Sequence, residues 1–189
     1  MKVCITIDVE YPDAPCHTGN FVDLVEAAKQ ESVSPIFFIE GRYAKANPWI
    51  ADVLKGQTIG NHGMFHVHHV FLTNRGIAES IARGEHELNT LFGKETKPLF
   101  RFPYGNVTAN SLEILHGLGY KHCTWSCDSR DWEGGKTPME ILGECQQHEE
   151  NTIIFHSWPD STKGIMIPLI QGLKRLNAEF VSSISSHML

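Results

Sequence analysis

The sequence predicts an α/β fold built on a parallel sheet, and three observations carry that expectation. Short apolar runs of strand length alternate along the chain with segments whose apolar residues recur at helical spacing. That alternation implies crossover helices joining parallel strands. Polar and titratable residues then collect directly after the strands, where such folds place their chemistry. No low-complexity segment, repeat or linker interrupts the pattern, so the 189 residues are expected to form one domain. The pattern alone does not separate an open doubly wound sheet from a closed barrel.

The elements follow in order. Residues 3–7 alternate as a first strand. Asn20 is placed to cap a helix that carries Phe21, Leu24, Val25 and Ala28 on one face. Residues 34–39 and 57–60 read as the second and third strands. Thr73 or Asn74 opens a longer helix with Ile77, Ile81, Leu88 and Leu91 inward, and Gly93 is placed to end it. Residues 99–102 form a fourth strand, and Asn110 with Glu113 resembles a capping box. Residues 120–126 read as a fifth strand. Thr137-Pro138-Met139-Glu140 is a helix start with a cap, a proline at the first helical position and an acid at the third. Residues 152–155 form a sixth strand, a last helix runs near 165–176, and residues 179–181 form a seventh strand.

Composition removes several classes of function. The hydrophobic fraction of 41% and charged fraction of 20% are those of a soluble globular protein. A net charge of -6 with no Lys/Arg run argues against a nucleic-acid partner. No apolar run approaches the roughly 20 residues that span a bilayer. The N-terminus has no charged leader, long apolar stretch and small-residue cleavage site, so the chain as it stands reads as cytoplasmic, and secretion requires a leader removed beforehand. The odd, scattered set Cys4, Cys16, Cys123, Cys127 and Cys145 argues against a disulfide framework. On one strand, Cys123 and Cys127 would lie about 13 Å apart, beyond disulfide reach. The cysteines are read as small buried hydrophobes.

Five polar clusters sit at five strand ends: Asp8-Val9-Glu10, Asn61 to His66, Arg101 to Gly105, Asp128 to Trp132, and His156-Ser157-Trp158. His62 and His66 are four apart, so on a helical turn both imidazoles face one way and can share a metal. The spacing equally fits two surface histidines, since His68 and His69 follow at once. A carboxylate from a neighbouring strand end favours the metal, because two His and one carboxylate leave a position open for water.

These clusters, in this order, resemble the motifs of the polysaccharide deacetylases of the NodB-homology type, carbohydrate esterase family four. Gly60 to His66 resembles the metal motif His-Ser/Thr-x-x-His, with Gly63 at the Ser/Thr position. Arg101 to Gly105 resembles Arg-x-Pro-Tyr-Gly. Asp128 to Trp132 resembles Asp-x-x-Asp-Trp. Ile153 to His156 resembles the last apolar strand with its catalytic His, and Pro35 to Ile39 resembles the second strand. Thr6-Ile7-Asp8-Val9-Glu10 departs from the commoner Thr-Phe-Asp-Asp, and Val9 stands where the family has a metal-binding Asp. It looks like the variant whose second acid lies one place further on. Ser157 replaces an Asp often found after the final His.

The resemblance implies a distorted (β/α)7-type barrel and a metal-dependent hydrolase that removes acetyl groups from an amino-sugar-containing carbohydrate. It implies Glu10, His62 and His66 as ligands to one divalent ion, with Zn²⁺ first and Co²⁺, Ni²⁺, Mn²⁺ or Fe²⁺ also suited. Asp8 takes the role of base, paired with Arg101. His156 takes the role of acid, paired with Asp131. Tyr104 and Trp132 form walls against a sugar ring, with an oxyanion donor expected at a backbone N–H near Tyr104. Asp128 reads equally as support for its turn, and Trp125 and Trp158 equally as core or platform. His17, His68, His69 and His122 are set outside the ligand group. Two competing readings stay open: a cyclic-amide, allantoinase-like hydrolase on the same scaffold, and a non-catalytic carbohydrate- or metal-binding relative. The sugar, its chain length and the oligomeric state are not readable from the sequence.

Overall fold

The computed structural model describes residues 1–10 and 19–184. Cys16 and His17 lie outside them. The strands are β1 (Lys2–Val9), β2 (Ile36–Ile39), β3 (Thr58–Asn61), β4 (Leu99–Phe100), β5 (Lys121–His122), β6 (Cys127–Asp128), β7 (Glu150–His156) and β8 (Glu179–Phe180). The helices are α1 (Gly19–Gln30), α2 (Gly41–Ala46), α3 (Ile50–Val53), α4 (Asn74–Phe92), α5 (Ala109–Gly117), α6 (Pro138–Cys145) and α7 (Thr162–Arg175). The short α2 and α3 have too few turns to show a helical period in the sequence. Helix α1 begins at Gly19, one residue ahead of the expected cap Asn20.

The strands form one parallel sheet in the order β5-β4-β3-β2-β1-β7-β6, with β8 beside the start of β1. Its shape follows from a distance. Strands β5 and β6 are the two edges, yet five residue steps separate His122 from Cys127. Five steps reach at most about 18 Å, whereas six strand spacings in a flat sheet cover roughly 29 Å. The sheet must therefore curl until its edges approach, and the result is a distorted (β/α) barrel open between β5 and β6. The expected fifth strand over residues 120–126 is corrected accordingly: two short strands at opposite edges replace it, and the intervening residues cross the gap.

Strand β1 shows how the layers separate. Val3, Ile5, Ile7 and Val9 pack outward with Phe21, Leu24 and Leu169 of the helices. Cys4 packs inward with Ile36, Phe38, Cys123 and Ile184, which fill the barrel floor. The period of two sends Thr6, Asp8 and Glu10 to the same inner face. Helix boundaries follow their caps. Thr73 caps α4, Gly93 ends it at φ 63°, and Thr137 with Glu140 forms the capping box of α6. At α5 the box is Thr108 with Ser111, not Asn110 with Glu113, because Thr108 already holds the extended conformation of a cap. Cys127 and Cys145 are free thiols, buried side by side with their sulfurs 3.2 Å apart. Among the described residues no helix is long and apolar enough to cross a membrane.

Candidate active site

The C-terminal strand ends converge on a cavity of about 470 Å³ lined by Asp8, Glu10, His66, Tyr104, Trp125, Asp128, Trp132, His156 and Trp158 among others. Because β1 alternates, Asp8 and Glu10 point into it together while Val9 is buried in the outer core. The acid displaced by one position thereby reaches the same side as Asp8.

Glu10 Oε2 lies 3.0 Å from His62 Nε2 and 2.9 Å from His66 Nε2. One ligand atom from each of the three residues lies within 4.8 Å of the other two. Burial alone would raise the Glu10 pKa, but hydrogen bonds to His62 and His66 outweigh it and hold the carboxyl well below its usual range. His62 Nδ1 is 2.8 Å from the Arg101 carbonyl, which only accepts, so the proton of a neutral ring sits on Nδ1. His62 Nε2 then turns a lone pair toward a carboxylate oxygen. Two lone pairs at 3.0 Å repel unless a cation lies between them. Acid supplies a proton for that position, and the two-imidazole, one-carboxylate set suits a divalent ion with coordination left open. The residues present fit such an ion.

The segment holding the two histidines is not the helical turn expected from their spacing. It is a bent loop, with Gly63 at φ 79° and the imidazole centroids 5.3 Å apart. Its neighbours hold it in place. The Gly41 and Arg42 amides donate to Gly63 O and Met64 O. Asn61 Oδ1 accepts from Gly63 N, Ser80 Oγ accepts from Met64 N, and Glu40 Oε1 accepts from His66 N at 3.0 Å. A side chain on Gly84 of α4 would meet Asn61 Oδ1 at 2.6 Å and the Gly63 backbone at 2.8 Å, so the loop docks where α4 has none. Sequence reading missed Glu40 and Gly84, and it placed Asn61 in the strand-end cluster without giving it a role. Glu40 carried a usable signal, an acid ending an apolar strand like the other strand-end groups. Gly84 carried none.

Arg101 is wholly buried and joins the barrel walls. Its Nη1 donates to Asp8 Oδ1 at 2.7 Å and to Thr6 Oγ1 at 2.9 Å, and its Nε and Nη2 donate to the carbonyls of Cys123 and Thr124. The guanidinium lies 4.2 Å from the Phe38 ring centroid. It thus ties β1 to the segment that leaves β5 toward the gap, with Asp8 as its ion-pair partner. The second Asp8 oxygen is 3.7 Å from His62 Nε2.

On the adjacent strand β7, in register with Asp8, His156 Nδ1 lies 2.7 Å from Asp131 Oδ1. Asp131 Oδ2 accepts from His156 N at 2.8 Å and from Thr162 Oγ1 at 2.6 Å. Burial disfavours charge on His156, but the Asp131 carboxylate outweighs it and lifts the imidazole to about 9. Asp131 anchors Nδ1, leaving Nε2 as the exchangeable nitrogen.

The aromatic residues divide. Tyr104, in the left-handed region at φ 59°, lies against His66 with ring centroids 4.2 Å apart, and Trp132 is half exposed at the cavity mouth. Trp125 and Trp158 both line the cavity. Trp158 Nε1 donates to Glu10 Oε1 at 3.4 Å, and Trp125 packs where a side chain on Gly105 would intrude. Asp128 lines the cavity and also accepts from Arg130 N at 2.9 Å, so it supports its turn as well. His69, pushed down to about 4 mainly by burial, bonds Ser80 and Val67. His122 is buried among aromatic rings and is likewise pushed down to about 4 by burial and then by Arg101.

The polysaccharide deacetylase family model matches residues 1–123. A chitooligosaccharide deacetylase of Azorhizobium caulinodans is 29% identical over 130 residues, 68% of this chain and 61% of that protein. A peptidoglycan-N-acetylglucosamine deacetylase of Bacillus cereus is 24% identical over 84% of this chain and 62% of its own. This chain thus spans about three fifths of the length of these relatives. It shares its fold with a family 4 carbohydrate esterase from Streptomyces lividans, at a TM-score of 0.79 and 24% identity over 95% of this chain and 91% of that one. It shares it equally with a pseudoenzyme of that family from Bacillus anthracis, at 0.84 and 21% over 97% and 64%. Asp131 and His156 lie beyond the matched span, so their pairing rests on the geometry above. With its first 123 residues matched and its strand-end groups gathered in one cavity, the chain belongs to the polysaccharide deacetylase family.

Proposed function

We propose that this chain is one catalytic domain that hydrolyses the acetyl amide of an amino sugar within an acetylated carbohydrate. The observation that supports it most is the placement of two candidate proton-transfer groups, each with its own charged partner, on the neighbouring ends of β1 and β7 beside a metal-ligand cluster. Arg101 pairs with Asp8 beside the cluster, and Asp131 holds His156 protonated on the adjacent strand. Glu10, His62 and His66 hold the divalent ion, Zn²⁺ in the first instance, which when bound supplies a Lewis acid that acidifies water and polarises a carbonyl. Asp8 is the general base that accepts the proton of the attacking water. A backbone N–H beside Tyr104 donates to the developing oxyanion. His156 Nε2 delivers a proton to the nitrogen as the C–N bond breaks, since an amine leaves poorly as an anion. Tyr104 and Trp132 flank the sugar ring.

Acetate release tests the reading. The panel is N-acetylglucosamine, its β-1,4 oligomers, peptidoglycan fragments and acetylated xylan, each with and without chelator. Chelator-sensitive acetate from an amino sugar is expected, and Asp8→Asn should abolish it with the metal still bound. Sugar binding with no acetate released points instead to a binding relative. Turnover of a cyclic amide alone moves the assignment to that chemistry.

A further inference from the structure

Exposed apolar side chains on this protein are not scattered. Among the described residues nine large ones are exposed, and six of these stand on the loops after β3, β4 and β6 that frame the cavity. The most exposed is Phe71, at 82%. It belongs to a ridge. His68 stacks on Tyr104 with ring centroids 3.8 Å apart and planes 15° from parallel, and Phe71 meets His68 edge-on at 5.6 Å. Asn106 Nδ2 lies 3.0 Å from His68 Nδ1 and ties the two loops together. Tyr104 is the shared member, since it also walls the cavity.

The geometry points to a second sugar-binding position on this ridge, where His68 and Phe71 receive the ring next to the one held in the cavity. The inference rests on the proposed function, because it extends that site outward from Tyr104. Rings interleaved with an imidazole and a carboxamide match a sugar chain, which offers flat C–H faces between hydroxyls. The ridge is continuous with the cavity mouth, so a ring linked to the bound sugar reaches it without leaving the surface. A net charge of -6 disfavours the other occupant such a patch suggests, an anionic membrane surface.

The test uses binding, so it does not depend on turnover. Titrate chelator-treated protein with N-acetylglucosamine and with its β-1,4-linked trimer by calorimetry. The wild type should bind the trimer more tightly, and Phe71→Ala should reduce that preference about three- to tenfold. Leu176→Ala, exposed at the C-terminal end of α7 and so at the opposite end of the barrel, should leave the preference unchanged. Equal affinity for monomer and trimer in the wild type overturns the inference. So does a preference that Phe71→Ala does not alter, or a Phe71→Ala variant whose one change is loss of binding to anionic phosphatidylglycerol vesicles. Failure of the proposed function reads differently: the metal-loaded wild type binds the trimer and releases no acetate.

Discussion

Replacing Asp131 with Asn tests the pairing that prepares His156. Asp131 Oδ2 is the meeting point of two donors, His156 N and Thr162 Oγ1, while Oδ1 takes the imidazole proton. In Asn the oxygen stays where two donors converge, which turns the NH₂ toward His156 Nδ1. The ring must then accept at Nδ1 and lose its charge. The wild-type imidazole sits at about 9 because Asp131 outweighs burial. Without the carboxylate, burial opposes only the weaker pull of Glu10 and Asp8, and the value falls to the ordinary 6.5 or lower. At pH 8 about nine tenths of wild-type His156 is protonated, against about 3% or less for the variant. If His156 is the general acid, kcat/KM at pH 8 drops about 30-fold or more, and the alkaline limb moves from about pH 9 to about 6.5 or lower. The stability effect has a definite sign. A folded pKa above the unfolded one contributes stability that is complete below pH 6.5 and is lost as pH rises through about 9. Its size is roughly 3 kcal/mol for a shift of about 2.5 units. The assay is an NMR titration of the His156 ring in chelator-treated protein beside the pH–rate profile of loaded protein. A variant imidazole that still titrates near 9, with an unmoved alkaline limb, would refute the reasoning.

Three further perturbations follow. Arg101→Met leaves Asp8 buried without its cation and removes the Arg101 bonds to the Cys123 and Thr124 carbonyls, at a cost of about 3–5 kcal/mol. Thermal melting should show a Tm lower by roughly 10 °C, and an unchanged Tm would remove Arg101 as the tie between β1 and the segment after β5. Gly84→Ala brings a methyl to 2.6 Å from Asn61 Oδ1 and displaces the His62–His66 loop. Chelator competition should show metal affinity weakened about tenfold or more, and wild-type affinity would show that the loop tolerates the shift. His62→Ala with His66→Ala should abolish stoichiometric divalent metal in the purified protein by elemental analysis; retention of the same content would place the ligands elsewhere.

The sequence made the fold class legible because its signals are local. Alternation at a period of two, the caps at Thr73 and Thr137 and the stop at Gly93 are each decided within a few residues. The strand-end rule brought Asp8, Arg101, Asp131 and His156 into one group although nearly 150 residues separate the first from the last. Glu40 was open to the same rule. Its strand ends in a single acid, which drew no notice beside the richer clusters.

Alternation along β1 placed Asp8 and Glu10 on one face and Val9 on the other, and that much follows from the sequence, because successive strand residues point to opposite sides. Which face is the inside of a barrel does not follow, because it depends on strands brought together from distant parts of the chain. The same reason explains the split of residues 120–126. Their composition suits a strand, but the curl of a seven-strand path places residue 122 at one edge and residue 127 at the other. The bent His62–His66 loop, the seat for it at Gly84 and the tie Arg101 makes between β1 and the segment after β5 likewise exist only once the helices and strands have met, since each depends on contacts between residues far apart in sequence.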